Sequence, residues 1–264
     1  MANTQCSETK PPRIELKIRN GVVLVGGDAH YWHTRPTPAH RAFCKFAKDL
    51  EPRVVVMNGD AFDGARISRH PSIGWEKSPL VAEELAAVSK RLAEIQEASP
   101  QSSRLVWPLG NHDSRFETRL ASVAQEYARV RGFHLKDHLD PRWEPCWSLW
   151  INGDTVVKHR TSKSGVHAAY NNALHSGHNI ITGHTHQLTV RAVADYSGTV
   201  RWGAEHGCLA DPYGQQFSYT EDNPRNWQAG FLVLTFRDGA LLQPEIVRVV
   251  GDSKVDFRGE LVRI

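Results

Sequence analysis

The stretch VVLVGGDAH, residues 22–30, sets the pattern from which the fold is read. A short run of β-branched and aliphatic residues predicts a buried strand, and it ends in a Gly-Gly turn that delivers Asp28 and His30. The same sentence is written four more times. VVVMNGDAFD (54–63) delivers Asp60 and Asp63, RLVWPLGNHD (104–113) delivers Asn111, His112 and Asp113, TVVKH (155–159) delivers His159, and NIITGHTH (179–186) delivers His184 and His186. Helical periodicity fills the intervals at about Thr37–Leu50, Pro79–Ala98, Phe116–Val130 and Val166–His175. Further strands are predicted at Trp147–Ile151, Leu188–Tyr196, Thr199–Trp202, Gly230–Phe236 and Leu241–Val249, leaving Ala65–Ser78 and Glu205–Ala229 as long irregular loops. Alternating strands and helices predict an α/β fold, whose ligand sites lie at the carboxyl ends of the strands. All five polar groups should therefore converge.

Length and composition fit this reading. The 264 residues suit one large domain or two small ones, and no linker cuts the chain, so a single domain over 14–264 with a flexible tail over 1–13 is expected. No apolar run approaches the roughly 20 residues of a membrane span. The start, MANTQCSETKPPR, has no hydrophobic segment and predicts no secretory leader, hence a cytoplasmic location. Cys6, Cys44, Cys146 and Cys208 form no CxxC pair, which excludes a zinc knuckle and suits a reducing compartment. A net charge of +3 permits an anionic partner without requiring one. The anomaly is histidine, with 14 copies.

The residue types at the strand ends narrow the chemistry. Asp, Asn and His without Cys give mixed oxygen and nitrogen coordination, suited to Mn first, with Fe, Zn, Ni or Co as other choices. Two carboxylates and four imidazoles are too many for one open ion and about right for two. In Asp28-x-His30 and His184-x-His186, an extended backbone would place both side chains on one face.

The ordered series DAH, GDAFD, GNHD, a lone His and GHTH resembles the calcineurin-like metallophosphoesterases, with motifs spanning Asp28 to His186. GNHDSRFETRL (110–120) and NWQAGF (226–231) look like small phage and bacterial members. The resemblance implies a two-sheet β-sandwich flanked by helices. It also implies that Asp28, His30 and His186 hold one metal, Asn111, His159 and His184 the other, and that Asp60 bridges them. His112 would act beside the site as proton donor with Asp63 as its partner, and a metal-bridging hydroxide would attack phosphorus in line. Arg160 follows His159 where the family usually has Gly, so His167 is an alternative for that position. Relatives acting on phosphoserine and phosphothreonine carry GDxxDRG, but Gly64 and Ala65 follow Asp63 here. The missing arginine clamp favours a phosphodiesterase on nucleic acid or nucleotides. A phosphomonoesterase on a nucleotide or phosphoprotein is the alternative, and a non-catalytic metal-binding scaffold the remote one. Arg115, Arg66 and Arg69 are candidate substrate contacts, Trp75 and Trp227 candidate base-stacking residues, His206 a candidate rim residue, and Asp113 an organiser of its loop.

Overall fold

The computed structural model describes residues 12–32, 35–70, 74, 77–128, 130–223 and 225–264. Trp75 and most of the expected tail lie outside them, while Arg13, expected in the tail, opens a strand. The strands are β1 (Arg13–Leu16), β2 (Gly21–Gly26), β3 (Val54–Met57), β4 (Arg104–Pro108), β5 (Trp143–Cys146), β6 (Ser148–Ile151), β7 (Thr155–Val157) and β8 (Asn179–Thr182). They continue with β9 (Leu188–Ala194), β10 (Val200–His206), β11 (Gly230–Arg237), β12 (Ala240–Leu241), β13 (Glu245–Gly251), β14 (Lys254–Phe257) and β15 (Glu260–Arg263). Four α-helices accompany them: α1 (Pro38–Asp49), α2 (Val81–Ala98), α3 (Arg115–Val123) and α4 (Ala168–Ser176).

Two sheets form. The nine-stranded one runs β15-β14-β13-β11-β2-β3-β4-β5 with β12 beside β11, and the six-stranded one runs β1-β6-β7-β8-β10-β9. Strands β2, β3 and β4 are adjacent and parallel, and so are β7, β8 and β10. Each sheet thus carries its motif residues out along one edge.

Side-chain alternation explains how the layers close. Val23, Val25, Val54, Val56 and Val106 face the other sheet, where they meet Leu149, Ile151, Val157 and Ile181. Leu24, Val55, Met57, Leu105 and Trp107 point the opposite way, onto Phe43, Phe46, Val88, Leu92 and Ile95 of α1 and α2. Both faces of these strands are buried, so they read as unbroken apolar runs. On the outer side of the six-stranded sheet, Ala173 of α4 packs with Val156, Ile180 and Val193. The architecture is the expected α/β arrangement of two sheets flanked by helices.

The differences lie at the margins. The helix expected at 116–130 ends at Val123, because Ala124 (φ −151°) leaves the helical region and a separate 3₁₀ turn follows at Gln125–Tyr127. The strand expected over 241–249 is two strands, parted where Pro244 supplies no N–H to a ladder. Strand β10 runs on to His206, well past Trp202.

Candidate metal centre

The motif residues meet where the two bundles of parallel strands end. The donor atoms of Asp28, His30 and His186 lie within 4.8 Å of one another, as do those of Asp60, His159 and His184. A third such set joins His30, Asp60 and His112. Asp60 thus belongs to sets on both sides of the centre, a position from which its two oxygens can serve two ions. Asn111 adds a buried side-chain oxygen with no hydrogen-bond partner.

Convergence does not come from extended backbone. Asp28, His30, Asp60, His184 and His186 have φ of 48°, 41°, 50°, 73° and 57°, all in the left-handed region. That conformation is uncommon for residues with a Cβ and persists where its surroundings over-determine it. The expected alternation along Asp28–His30 and His184–His186 is therefore replaced by tight turns. Main-chain bonds hold them: Asp28 N donates to Gly59 O, and His30 N to Asp60 O, each at 2.9 Å. Asp113, fully buried, ties the second and third loops together. Its carboxylate accepts from the backbone N–H groups of Asp60, Phe62 and Gly110 and from the Trp107 indole. Gly110 has no alternative at its position, since a Cβ there would lie 2.0 Å from Asp60 Oδ1.

Neighbouring acceptors fix the tautomers. His159 Nδ1–H donates to the Asn58 carbonyl at 2.8 Å, and His30 Nδ1–H donates to Asp63 Oδ1 at 3.0 Å. The Nε2 atom of each ring is then directed inward and buried; that of His30 has no hydrogen bond, and that of His159 lies 3.1 Å from Asp60 Oδ2. Contacts such as those at Nδ1 are how proteins orient imidazole ligands. Asp28 Oδ1 is similarly buried and unpaired, 3.3 Å from His186 Nε2. Burial works against charge on His159, but Asp60 and Asp28 outweigh it and raise its pKa to about 10. Two buried carboxylates beside imidazoles make this a place where a cation is favoured. The hard oxygen and borderline nitrogen donors would fit Mn, Fe or Zn.

Beside these donors, His112 Nδ1–H donates to Asp63 Oδ1 at 2.9 Å, and its backbone N–H donates to Asp60 Oδ1 at 2.8 Å. Asp63 also accepts from the Trp32 indole at 2.9 Å, so one carboxylate orients His30, His112 and Trp32. Despite burial, Asp60 and Asp63 hold the His112 pKa above its ordinary value. Burial opposes ionisation of Asp63 as well, but its hydrogen bonds to His112 and His30 hold it well below the usual carboxylate range.

The structure distributes the remaining candidates unevenly. Arg115 donates to the Asp63 carbonyl at 2.9 Å and approaches His112 Nε2 at 3.1 Å, so it stands in the site. The Arg66 guanidinium is spent on the Ser78 and Pro79 carbonyls, and Arg69 is exposed outside the lining of the adjoining pocket. His167 is an exposed residue at the start of α4 rather than a partner of the donors. His206, expected at the rim, is fully buried with Nε2 3.9 Å from Asp28 Oδ2. Gly183 leaves room for it, since a Cβ there would meet Nε2 at 2.4 Å. Sequence reasoning missed Phe217, whose ring packs on His30 and His186 at 5.1 and 5.2 Å, and Glu84, whose carboxylate accepts from the Gly64 and Ala65 N–H groups. Trp227 stacks obliquely on His186 with centroids 4.4 Å apart.

No family model matches the chain. The Gene 54 protein of Mycobacterium phage L5 is 29% identical to it over 233 residues, covering 80% of this chain and 87% of that protein. Among solved structures, a double mutant of Vps29 from Entamoeba histolytica aligns over 92% of this chain and 99% of its own, with 15% identity and a TM-score of 0.45. Wild-type Vps29 from the same organism, complexed with Zn²⁺, aligns over 92% of this chain and 98% of its own, with 17% identity and a TM-score of 0.45.

Proposed function

We propose that this protein is a two-ion phosphoesterase acting on phosphodiesters of nucleotides or nucleic acid. The carrying observation is the pair of donor sets around Asp60, with His112 held beside them in the inner wall of a pocket. Asp28, His30 and His186 would hold one divalent ion, Asn111, His159 and His184 the other, and Asp60 both. The ions would supply Lewis acidity toward the phosphoester oxygens and toward water near neutral pH.

The chain's own groups supply the remainder. Asp63 accepts the hydrogen bond from His112 Nδ1–H and leaves Nε2 as the atom that faces substrate. A proton at Nε2 is stabilised by Asp60, whose Oδ2 lies 4.0 Å away, and is positioned for a departing oxygen. Arg115 donates toward the same Nε2, so an incoming ester oxygen would take over that guanidinium N–H when His112 is protonated. Glu84 occupies the N–H groups of Gly64 and Ala65, and no arginine follows Asp63 to clamp a dianionic monoester. That favours the less charged diester.

The test is hydrolysis of bis(p-nitrophenyl) phosphate and p-nitrophenyl phosphate with Mn²⁺, with and without EDTA. The diester should be cleaved faster, EDTA should stop the reaction, and Asp60→Asn should reduce it to background. Full activity of Asp60→Asn would overturn the two-ion reading, and a large preference for the monoester would replace the diesterase with a phosphomonoesterase.

A further inference from the structure

A pocket of about 450 Å³ opens on the His112 side of the centre. Its inner wall contains Asn111 and His112, which places it where the group leaving phosphorus must go. Its other walls have a particular composition. Trp32, His70, Arg115 and Tyr219 present four planar groups, and Ser68, Ser78 and Gln216 present small polar ones. The lining therefore combines flat π faces with hydrogen-bond donors and acceptors at their edges, as a heteroaromatic ring requires.

Three of these planar groups are also held in place. Trp32 is buried and pinned through its indole N–H to Asp63. Arg115 is fixed by the Asp63 carbonyl and His112. Tyr219 leaves about half its surface exposed, and its ring rests against Phe217 with centroids 6.4 Å apart, while Phe217 packs on His30 and His186. Tyr219 thus stands as the open wall of a pocket whose floor is the catalytic histidine.

We infer that this pocket receives the nucleoside of the departing group, with its base against Tyr219 and Trp32 and its edge toward Gln216 and the two serines. The inference rests on the reaction proposed above. Water forms the new P–O bond and the P–O bond to the nucleoside breaks. The departing oxygen takes the Nε2 proton of His112, the proton lost by the water passes to solvent, and a proton from solvent restores the histidine.

The test is calorimetric titration of the Mn²⁺-loaded protein with AMP, ribose 5-phosphate and inorganic phosphate. Base stacking on aromatic side chains corresponds to roughly 5- to 150-fold in affinity, so AMP should bind at least about fivefold more tightly than ribose 5-phosphate. Tyr219→Ala should remove most of that difference and Tyr219→Phe should keep it. Ribose 5-phosphate should bind equally to all three proteins, which separates a lost stacking face from a damaged fold. Equal affinity of the wild type for AMP and ribose 5-phosphate would overturn the inference, and so would an unchanged preference in Tyr219→Ala. The two readings fail separately. Diester hydrolysis without base preference removes the pocket's role and keeps the reaction, whereas base preference without hydrolysis removes the reaction and keeps the nucleoside site. A dinucleoside monophosphate compared with a 12-nucleotide single strand then identifies the source of the nucleoside, and cleavage of neither would overturn its role as a leaving group.

Discussion

Two buried clusters of histidine and carboxylate lie close together in this molecule, and they are finished differently. In one, the Tyr31 hydroxyl donates to His40 Nδ1 at 2.8 Å, His40 Nε2–H donates to Glu94 Oε2 at 2.9 Å, and Arg91 pairs with the same Glu94. Both ring nitrogens of His40 are thereby satisfied. In the other, around Asp60, His30 Nε2 and Asn111 Oδ1 are buried without hydrogen bonds, and His159 Nε2 and Asp28 Oδ1 meet only other members of the centre, Asp60 Oδ2 at 3.1 Å and His186 Nε2 at 3.3 Å. An unpaired buried polar atom is costly, so native structures rarely keep several together without a ligand to serve them. His40 is as buried as His30 and His159, but its partner Glu94 is 33% exposed, whereas Asp28, Asp60 and Asp63 are almost fully buried. What separates a structural network from a ligand site is the count of unanswered donors and acceptors.

The strongest way to break this comparison is to remove His112, which is hydrogen-bonded at Nδ1 yet assigned to chemistry. His112→Ala should lower the diester turnover number by about 10²- to 10⁴-fold, while elemental analysis finds the metal content unchanged. Loss of metal with activity would move His112 among the ligands, as its presence in one donor set allows. His40→Gln, in the satisfied cluster, should leave turnover within a few-fold of wild type.

The next effect belongs to stability and pH. Burial, only partly offset by Glu94, lowers the His40 pKa from 6.5 to about 4. Between those values the unfolded chain binds the proton that the folded chain refuses. The contribution is fully present above pH 6.5 and is lost as pH falls toward 4, to a limit on the order of 3 kcal/mol. Urea unfolding at pH 7 and pH 4.5 should show a smaller acid loss in His40→Gln than in wild type. Equal losses would mean that the acid sensitivity resides elsewhere.

The smallest effect sharpens the contrast from the other side. Mn²⁺ at a hundredfold over its dissociation constant should stabilise the wild type by about 2.7 kcal/mol through linkage, seen as a higher melting temperature that EDTA reverses. Asp60→Asn should lose most of this rise and His40→Gln none of it. A melting temperature indifferent to Mn²⁺ would contradict the assignment of the unpaired atoms to ions.

These clusters also show how far the sequence could be read. The strands that carry the centre were legible because VVLV and VVVM are apolar at every position, which only burial on both faces tolerates. The donors were legible because they directly follow such runs. The geometry was not. Nothing local to Asp28 or His186 announces a left-handed backbone, which is imposed by main-chain bonds to segments far along the chain. His206 is the last residue of a strand that runs four residues past the predicted end at Trp202, and its burial depends on glycines 23 and 179 residues away. Strand β5 (WEPC) contains a proline and sits at a sheet edge, and β1 begins where tail was expected, so neither offers a long apolar run. The sequence points to Asp63 as the partner of His112 alone, because the approach of His30 and Trp32 to the same carboxylate is a tertiary fact.

The left-handed turns have a consequence for timing. Five of the donors take their positions through left-handed main-chain conformations, held in part by bonds to segments far along the chain. A framework built this way should load by proton release and shedding of water from the ion, with no rearrangement of the chain. Uptake should follow the water-exchange rate of the chosen cation and fall with acidity, so that slow-exchanging Ni²⁺ enters later than Mn²⁺ into an otherwise identical site.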